Sequence, residues 1–262
     1  MVIETSSQRK VRFEKASSVA MTLVAPQHEH TVLRLVDAKE MPSPYLLDNV
    51  MMQSNGTTHA LQRIIKRALD VGLSGALLVL ASPIMLAVAF MVKSDGGPAF
   101  FGHKRLGMAG KTFPCLKFRS MIHNSEAVLE KHLAENPEAQ AEWAASRKLK
   151  NDPRVTRLGS FLRKSSLDEL PQLLNVLRGD MSLVGPRPIV TAETAHYQAD
   201  IAYYYAVRPG VTGLWQVSGR SNTTYAQRVG MDALYVRNWS LWHDIVILFK
   251  TPIAVLKSSG AY

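Results

Sequence analysis

Two adjacent carboxylates, Asp168 and Glu169, stand in the stretch R-K-S-S-L-D-E-L-P-Q-L-L-N-V-L-R-G-D-M-S-L-V-G-P-R-P, Arg163 to Pro188. The pattern reads as a helix start, with Arg163 before it and Arg187 after it. Free backbone N–H groups and the positive end of a helix dipole attract anions, and arginine can grip phosphate with two parallel hydrogen bonds. A divalent cation held by the carboxylates would complete charge neutralisation. The chemistry indicated is therefore chemistry on phosphate. A purely structural reading stands beside it: Ser166 and Glu169 have capping-box spacing. That register would place Pro171 at the fifth helical position, where it removes an intrahelical bond. A helix starting at Asp168 keeps Pro171 in the tolerant first turn and is preferred. Spacing alone leaves catalysis and capping open, since acidic residues are common at helix starts.

These residues need elements to position them. Of 262 residues, 47% are hydrophobic, enough for a core, and the net charge of +10 with a pI near 9.8 calls for an acidic partner. Residues 1–62 carry six Lys/Arg and six Asp/Glu, so the surplus lies after residue 62. That first segment is polar, broken at M-P-S-P and Q-S-N-G-T-T, and is expected to be a disordered extension. It has no apolar core of a signal peptide. The single cysteine, Cys115, excludes an intrachain disulfide, fits a reducing compartment, and reads as a small buried hydrophobe.

An uncharged run of 22 residues, Val71 to Val92, is long enough to cross a bilayer. Ser82-Pro83 falls near its middle, where proline should kink a helix. The residues before that break rise only about 16 Å, short of a roughly 30 Å hydrocarbon core. Arg63, Lys66, Arg67 and Lys93 make both flanks basic. A re-entrant helix over 63–93, entering and leaving on the cytoplasmic side, satisfies all three features. A kinked span is the alternative.

Residues 96–122 read as a β-hairpin with Lys104, Arg105, Lys111, Lys117 and Arg119 and no acidic residue after Pro98. Lys117 and Arg119 alternate with Leu116 and Phe118, sharing one strand face. They are candidate phosphate ligands, though attraction to anionic lipid would use the same charges. Two solvated helices follow from Asn124, the second opening at Asn136-Pro137. His123 and His132 read as surface residues. A short helix around Val155–Arg163 leads to the carboxylates, and the helix after them runs to about Leu177. R-P-G-V-T-G-L-W-Q-V-S-G-R, Arg208 to Arg220, combines Gly, a short strand and Arg as anion-binding loops do. A C-terminal helix with Trp239 and Trp242 could lie at a membrane interface or pack on the core.

These linked motifs resemble the bacterial sugar transferases that initiate polysaccharide assembly, the monotopic polyprenyl-phosphate phosphoglycosyl transferases. The resemblance covers roughly Arg63 to Tyr262. It rests on Ser82-Pro83, K-F-R-S-M, S-L-D-E-L-P-Q, G-D-M-S-L-V-G-P-R-P and R-P-G-V-T-G-L-W-Q-V-S-G-R in this order. S-D-G-G-P, E-W-A-A-S-R-K-L-K and W-S-L-W-H-D look most like the galactose phosphotransferases of rhizobial exopolysaccharide synthesis. The resemblance implies transfer of a sugar 1-phosphate, galactose 1-phosphate by analogy, from a UDP-sugar to undecaprenyl phosphate with release of UMP. Asp168 would be the nucleophile and Glu169 would hold Mg²⁺ beside it. Arg163, Arg187 and Arg220 would meet the phosphates or the uridine end.

The expected fold is α+β: a small, mostly helical, membrane-associated domain with a β-hairpin and an N-terminal re-entrant helix. Residues 94–262 form the catalytic part on the cytoplasmic face of the bacterial inner membrane. A non-catalytic scaffold binding anionic membrane lipid is the rival reading. Nucleic acid is not an expected partner, because no reading module is present. The sequence leaves a homo-oligomer open.

Overall fold

The computed structural model describes residues 61–144, 149–219 and 223–256 with their side chains. Helix residues 56–60 and 145–146 are described as backbone only, as are the strand pairs Val2–Glu4 with Lys10–Arg12 and Val19–Val24 with Val32–Asp37. The expected disordered extension, 1–62, falls chiefly outside the described residues.

The apolar run forms one helix, Gly56–Lys93, which opens before the expected start at Arg63. Among the described residues it is the one helix long and apolar enough to cross a membrane. It is little buried: Val79, Leu80, Leu86 and Phe90 are each more than 70% exposed, a surface that water does not tolerate over such a length. Pro83 lies inside it and cannot donate to the carbonyl four residues earlier. The Ser82 hydroxyl supplies that carbonyl, Val79 O, with a donor at 2.8 Å. The Ser-Pro pair thus breaks the ladder without leaving an acceptor bare in an apolar setting.

Both ends of this helix bear on the same body. At the N-terminal end, Lys66 donates to Asp244 at 2.6 Å and to Val184 O at 3.2 Å. Arg67 donates to the carbonyls of Val176 and Leu177 at 2.7 and 3.0 Å, covering the C-terminal end of helix Gln172–Arg178. Asp70, buried, accepts from the Leu183 N–H at 3.0 Å. At the other end, Val88 and Val92 pack into a cluster with Phe118 and Leu162. The basic residues read as membrane flanks are, at Lys66 and Arg67, protein-binding groups.

Strands Phe100–Leu106 and Thr112–Phe118 pair antiparallel as the expected hairpin, in a register that sets Phe101 opposite Lys117, His103 opposite Cys115 and Arg105 opposite Phe113. Asn175 fixes the hairpin to the helix behind it: its side-chain oxygen accepts from Leu116 N–H at 2.9 Å and its amide donates to Pro114 O at 2.8 Å. A second, parallel pair joins Ser182–Val184 to Gly210–Thr212. The shared core comprises Phe113, Cys115, Leu173, Val176, Met181, Leu183, Val184, Tyr235 and Ile247. The fold is thus mostly helical with small sheets, as expected. The C-terminal helix Leu241–Leu256 packs on the core through Asp244 and Ile247, with Trp239 just before it against the same core, and leaves Trp242 and Phe249 exposed.

Two local expectations need correction, and the alternative capping box does not form. Asp168 is not a helix cap: Leu167–Glu169 is a tight 3-10 turn, and the α-helix begins at Gln172 with Pro171 at its boundary. Ser166 has φ 58° and makes no capping hydrogen bond, so no capping box forms. After the strand Gly210–Thr212 the chain turns helical over Leu214–Ser218 instead of continuing as a Gly-punctuated strand.

Candidate active site

Helix Arg157–Lys164 carries Arg163 and is capped by Thr156, whose hydroxyl accepts from Gly159 N–H at 2.8 Å. A Cβ on Gly159 would meet Ser120 O at 1.9 Å, so only glycine lets the helix lie against the chain leaving the hairpin. Arg163 Nε donates to Ser120 Oγ at 2.9 Å, and its charge acts on Asp168.

The left-handed Ser166 then turns the chain so that Asp168 points inward, 7% exposed, beside the less buried Glu169. Lys117 reaches both from the hairpin, its Nζ 2.6 Å from Glu169 Oε1 and 3.5 Å from Asp168 Oδ2. Burial raises the Asp168 carboxyl above its ordinary 3.8, opposed chiefly by the Lys117 charge and reinforced by Glu169. The hairpin face that carries Lys117 also carries Arg105 and Cys115. Together with Glu169, Gln172, Arg187, Pro188, Gly210, Val211 and Gln216 they line one cleft. Cys115 is buried and its thiol is pushed up by burial, as a small hydrophobe would be.

The structure therefore gathers Asp168, Glu169, Lys117 and Arg187 of the predicted set, with Arg163 close enough to act on Asp168. It does not bring Arg119 there. The strand ends at Phe118, and Arg119 instead donates to Asp95 at 2.7 Å, Pro98 O at 2.8 Å, Met121 O at 2.9 Å and Val92 O at 2.7 Å. Its hydrogen bonds hold Asp95 at about 2, below the usual 3.8. A Cβ on Gly97 would come within 2.9 Å of this guanidinium, so glycine there lets Arg119 keep its seat unshifted, and Gly96 beside it has a φ of 82°. Arg119 fastens the exit of the long helix to the hairpin. Replacing it with Met should leave three carbonyls without their donor and cost about 2 kcal/mol; an unchanged urea midpoint would contradict this. Arg220 lies outside the described residues. The sequence reading missed Arg105, Gln172 and Gln216 as cleft residues; strand parity with Lys117 would have found Arg105 had the turn length been known.

The two carboxylates converge on one cation, the Lys117 ammonium. Mg²⁺ is usually held by one or two carboxylates together with substrate phosphates, so Asp168 and Glu169 fit it as partners of a phosphate ligand. No group of three His, Cys, Asp or Glu at metal distance occurs among the described residues.

An acidic pair under a lysine, with Glu169 lining a cleft beside two arginines, is a phosphate-handling geometry. The description "Bacterial sugar transferase" matches residues 61–258. The chain belongs to this family. It is 57% identical over 200 residues to an undecaprenyl-phosphate galactose phosphotransferase of Salmonella typhimurium, covering 76% of this chain and 42% of that protein. Similarity to a UDP-galactose-lipid carrier transferase of Erwinia amylovora is 53% identity over 213 residues, covering 81% and 45%. Exopolysaccharide production protein ExoY of Rhizobium meliloti is 51% identical over 211 residues, covering 80% and 93%. This bacterial sugar transferase thus spans less than half of the first two relatives and nearly all of the third.

Proposed function

We propose that this bacterial sugar transferase moves galactose 1-phosphate from UDP-galactose to undecaprenyl phosphate, the first membrane step of exopolysaccharide synthesis. The observation that carries the reading is Lys117 joining the Asp168–Glu169 pair at the edge of a cleft that Arg105 and Arg187 line. The names of the relatives support the donor, the acceptor and the sugar.

In the proposed first step an Asp168 carboxylate oxygen attacks the sugar-bearing phosphorus of the donor. The bond from that phosphorus to the bridging oxygen breaks, and UMP leaves with the electron pair. In the second step a phosphate oxygen of the lipid attacks the same phosphorus. The bond to Asp168 breaks, regenerating the carboxylate and giving the lipid diphosphosugar. Lys117, Arg187 and Arg105 stabilise charge on the transferring group, in a cleft where they are already oriented. Magnesium, when bound by Glu169 and Asp168, would neutralise further phosphate charge.

Release of UMP from a panel of UDP-sugars with undecaprenyl phosphate and Mg²⁺ tests this reading. Turnover is expected with UDP-galactose, and Glu169→Gln should raise the Mg²⁺ concentration for half-activity about tenfold. Vesicle binding with no UMP release from any donor would favour the scaffold.

A re-entrant anchor belongs to the same proposal. Its support is that residues 66–70 and 88–92 contact one body. A spanning helix would put these ends on opposite sides of the bilayer or drag the charged domain into lipid. Single cysteines placed at Gln62 and Ser94, in a Cys115→Ala background, should both react with a membrane-impermeant maleimide only after the cells are opened. Labelling of either in intact cells would refute it.

A further inference from the structure

Behind the cleft lies a charge cluster that the proposed steps do not use. Arg228, on helix Tyr225–Arg237, is 7% exposed. Its guanidinium carbon lies 5.0 Å from the ring centroids of both Trp215 and Tyr225. Two carboxylates approach at ion-pair range only, Glu193 at 3.6 Å and Asp232 at 4.0 Å. Its Nε and Nη2 are buried without a hydrogen-bond partner. A buried cation so incompletely paired is a poor source of stability, and Arg228 is not among the residues that line the cleft.

Its neighbours, however, are shared with the cleft. Glu193 accepts from Arg105 at 3.4 Å with its other oxygen, which also takes the Val190 N–H at 2.8 Å. Trp215 lies 5.7 Å from the guanidinium carbon of Arg187. The indole N–H of Trp215 donates to Thr223 Oγ1 at 2.6 Å. Asp232 is pinned by the Tyr197 hydroxyl at 2.7 Å; burial pushes its carboxyl up to about 6, with Tyr197 and Arg228 opposing the rise.

We infer that Arg228 is a positioning residue for the donor nucleotide: from behind the cleft it sets Trp215 and Glu193, and through them Arg187 and Arg105. The inference rests on the proposed UDP-sugar reaction and deepens it. Arg228 touches neither the donor nor Asp168 in this reading and acts on both only through the two arginines that hold the transferring group.

The test compares Arg228→Met and Arg228→Lys with the wild type in detergent, reading KM and kcat for UDP-galactose and the dissociation constant of UMP alone by calorimetry. Arg228→Met should raise KM and the UMP dissociation constant about tenfold each, with any fall in kcat accompanying that loss of binding as Arg187 and Arg105 shift. Arg228→Lys should recover part of the loss, because it keeps the charge between Glu193 and Asp232 but not the flat stacking surface. Unchanged KM and UMP affinity, or a loss confined to kcat, would overturn the inference. If Arg228→Met does not fold, Glu193→Gln decides, since it weakens the link between Arg228 and Arg105 while keeping an acceptor for the Val190 N–H: a raised KM upholds the inference and an unchanged one overturns it. A wild-type protein that neither turns over a UDP-sugar nor binds UMP would refute the proposed function itself; turnover indifferent to Arg228 would refute only the positioning role.

Discussion

Asp168→Asn should abolish UMP release and, at the same time, make the protein more stable. The first effect follows from the proposed nucleophile, and a loss of at least about 10⁴-fold is expected. The second follows from the environment of the carboxyl. Burial raises Asp168 above its ordinary 3.8 despite Lys117, so the fold prefers the protonated form. That preference contributes fully at pH below the unfolded value and is lost as pH rises through the higher folded value. At pH 7.5 the ionised carboxylate therefore burdens the fold, and a neutral amide of the same shape relieves the burden. The melting temperature of Asp168→Asn should exceed that of the wild type at pH 7.5, with the gap closing toward pH 4. Near wild-type UMP release would eliminate the nucleophile; a lower melting temperature at pH 7.5 would eliminate the desolvation argument.

Lys117→Met should cost about 10² to 10³ in kcat, the range found when one preorganised charge donor is removed from a transition state. It should also move the acid limb of the pH–rate profile. Lys117 is the largest influence holding the Asp168 carboxyl down against burial, so its removal lets the carboxyl rise further and activity fall away at higher pH than in the wild type. Lys117→Arg should keep the limb near its original place while disturbing the 2.6 Å contact with Glu169. A Met variant with an unshifted acid limb would show that Lys117 does not govern ionisation of Asp168.

What was legible in the sequence was local. The carboxylate pair, the lysine at Lys117 and the Ser-Pro break carry their meaning in residue type and short spacing. Arg119 was misread because strand alternation was assumed one residue past the strand's end, and because its partner Asp95 sits across the exit of the long helix. Arg105 and Arg228 were not found because their roles depend on hairpin register and on packing between distant elements. The helix start shifted to Gln172 because Ser166 adopts a left-handed conformation that single-sequence patterns do not assign to serine. S-D-G-G-P served only as a mark of likeness until the seat of Arg119 against Gly97 gave it a physical reason.

The long helix is pinned at Lys66, Arg67 and Asp70 and again at Val88 and Val92. Chain between two fixed points has a fixed contour, so the intervening residues act as a depth gauge. In the proposed re-entrant anchor, one turn added between Gly72 and Met85 would not lift Asp168 and Glu169 away from the lipid headgroups; the extra length would have to bow outward into the acyl chains. On that proposal, the height at which Asp168 would meet a lipid-borne phosphate is written into the number of helical residues between the pins.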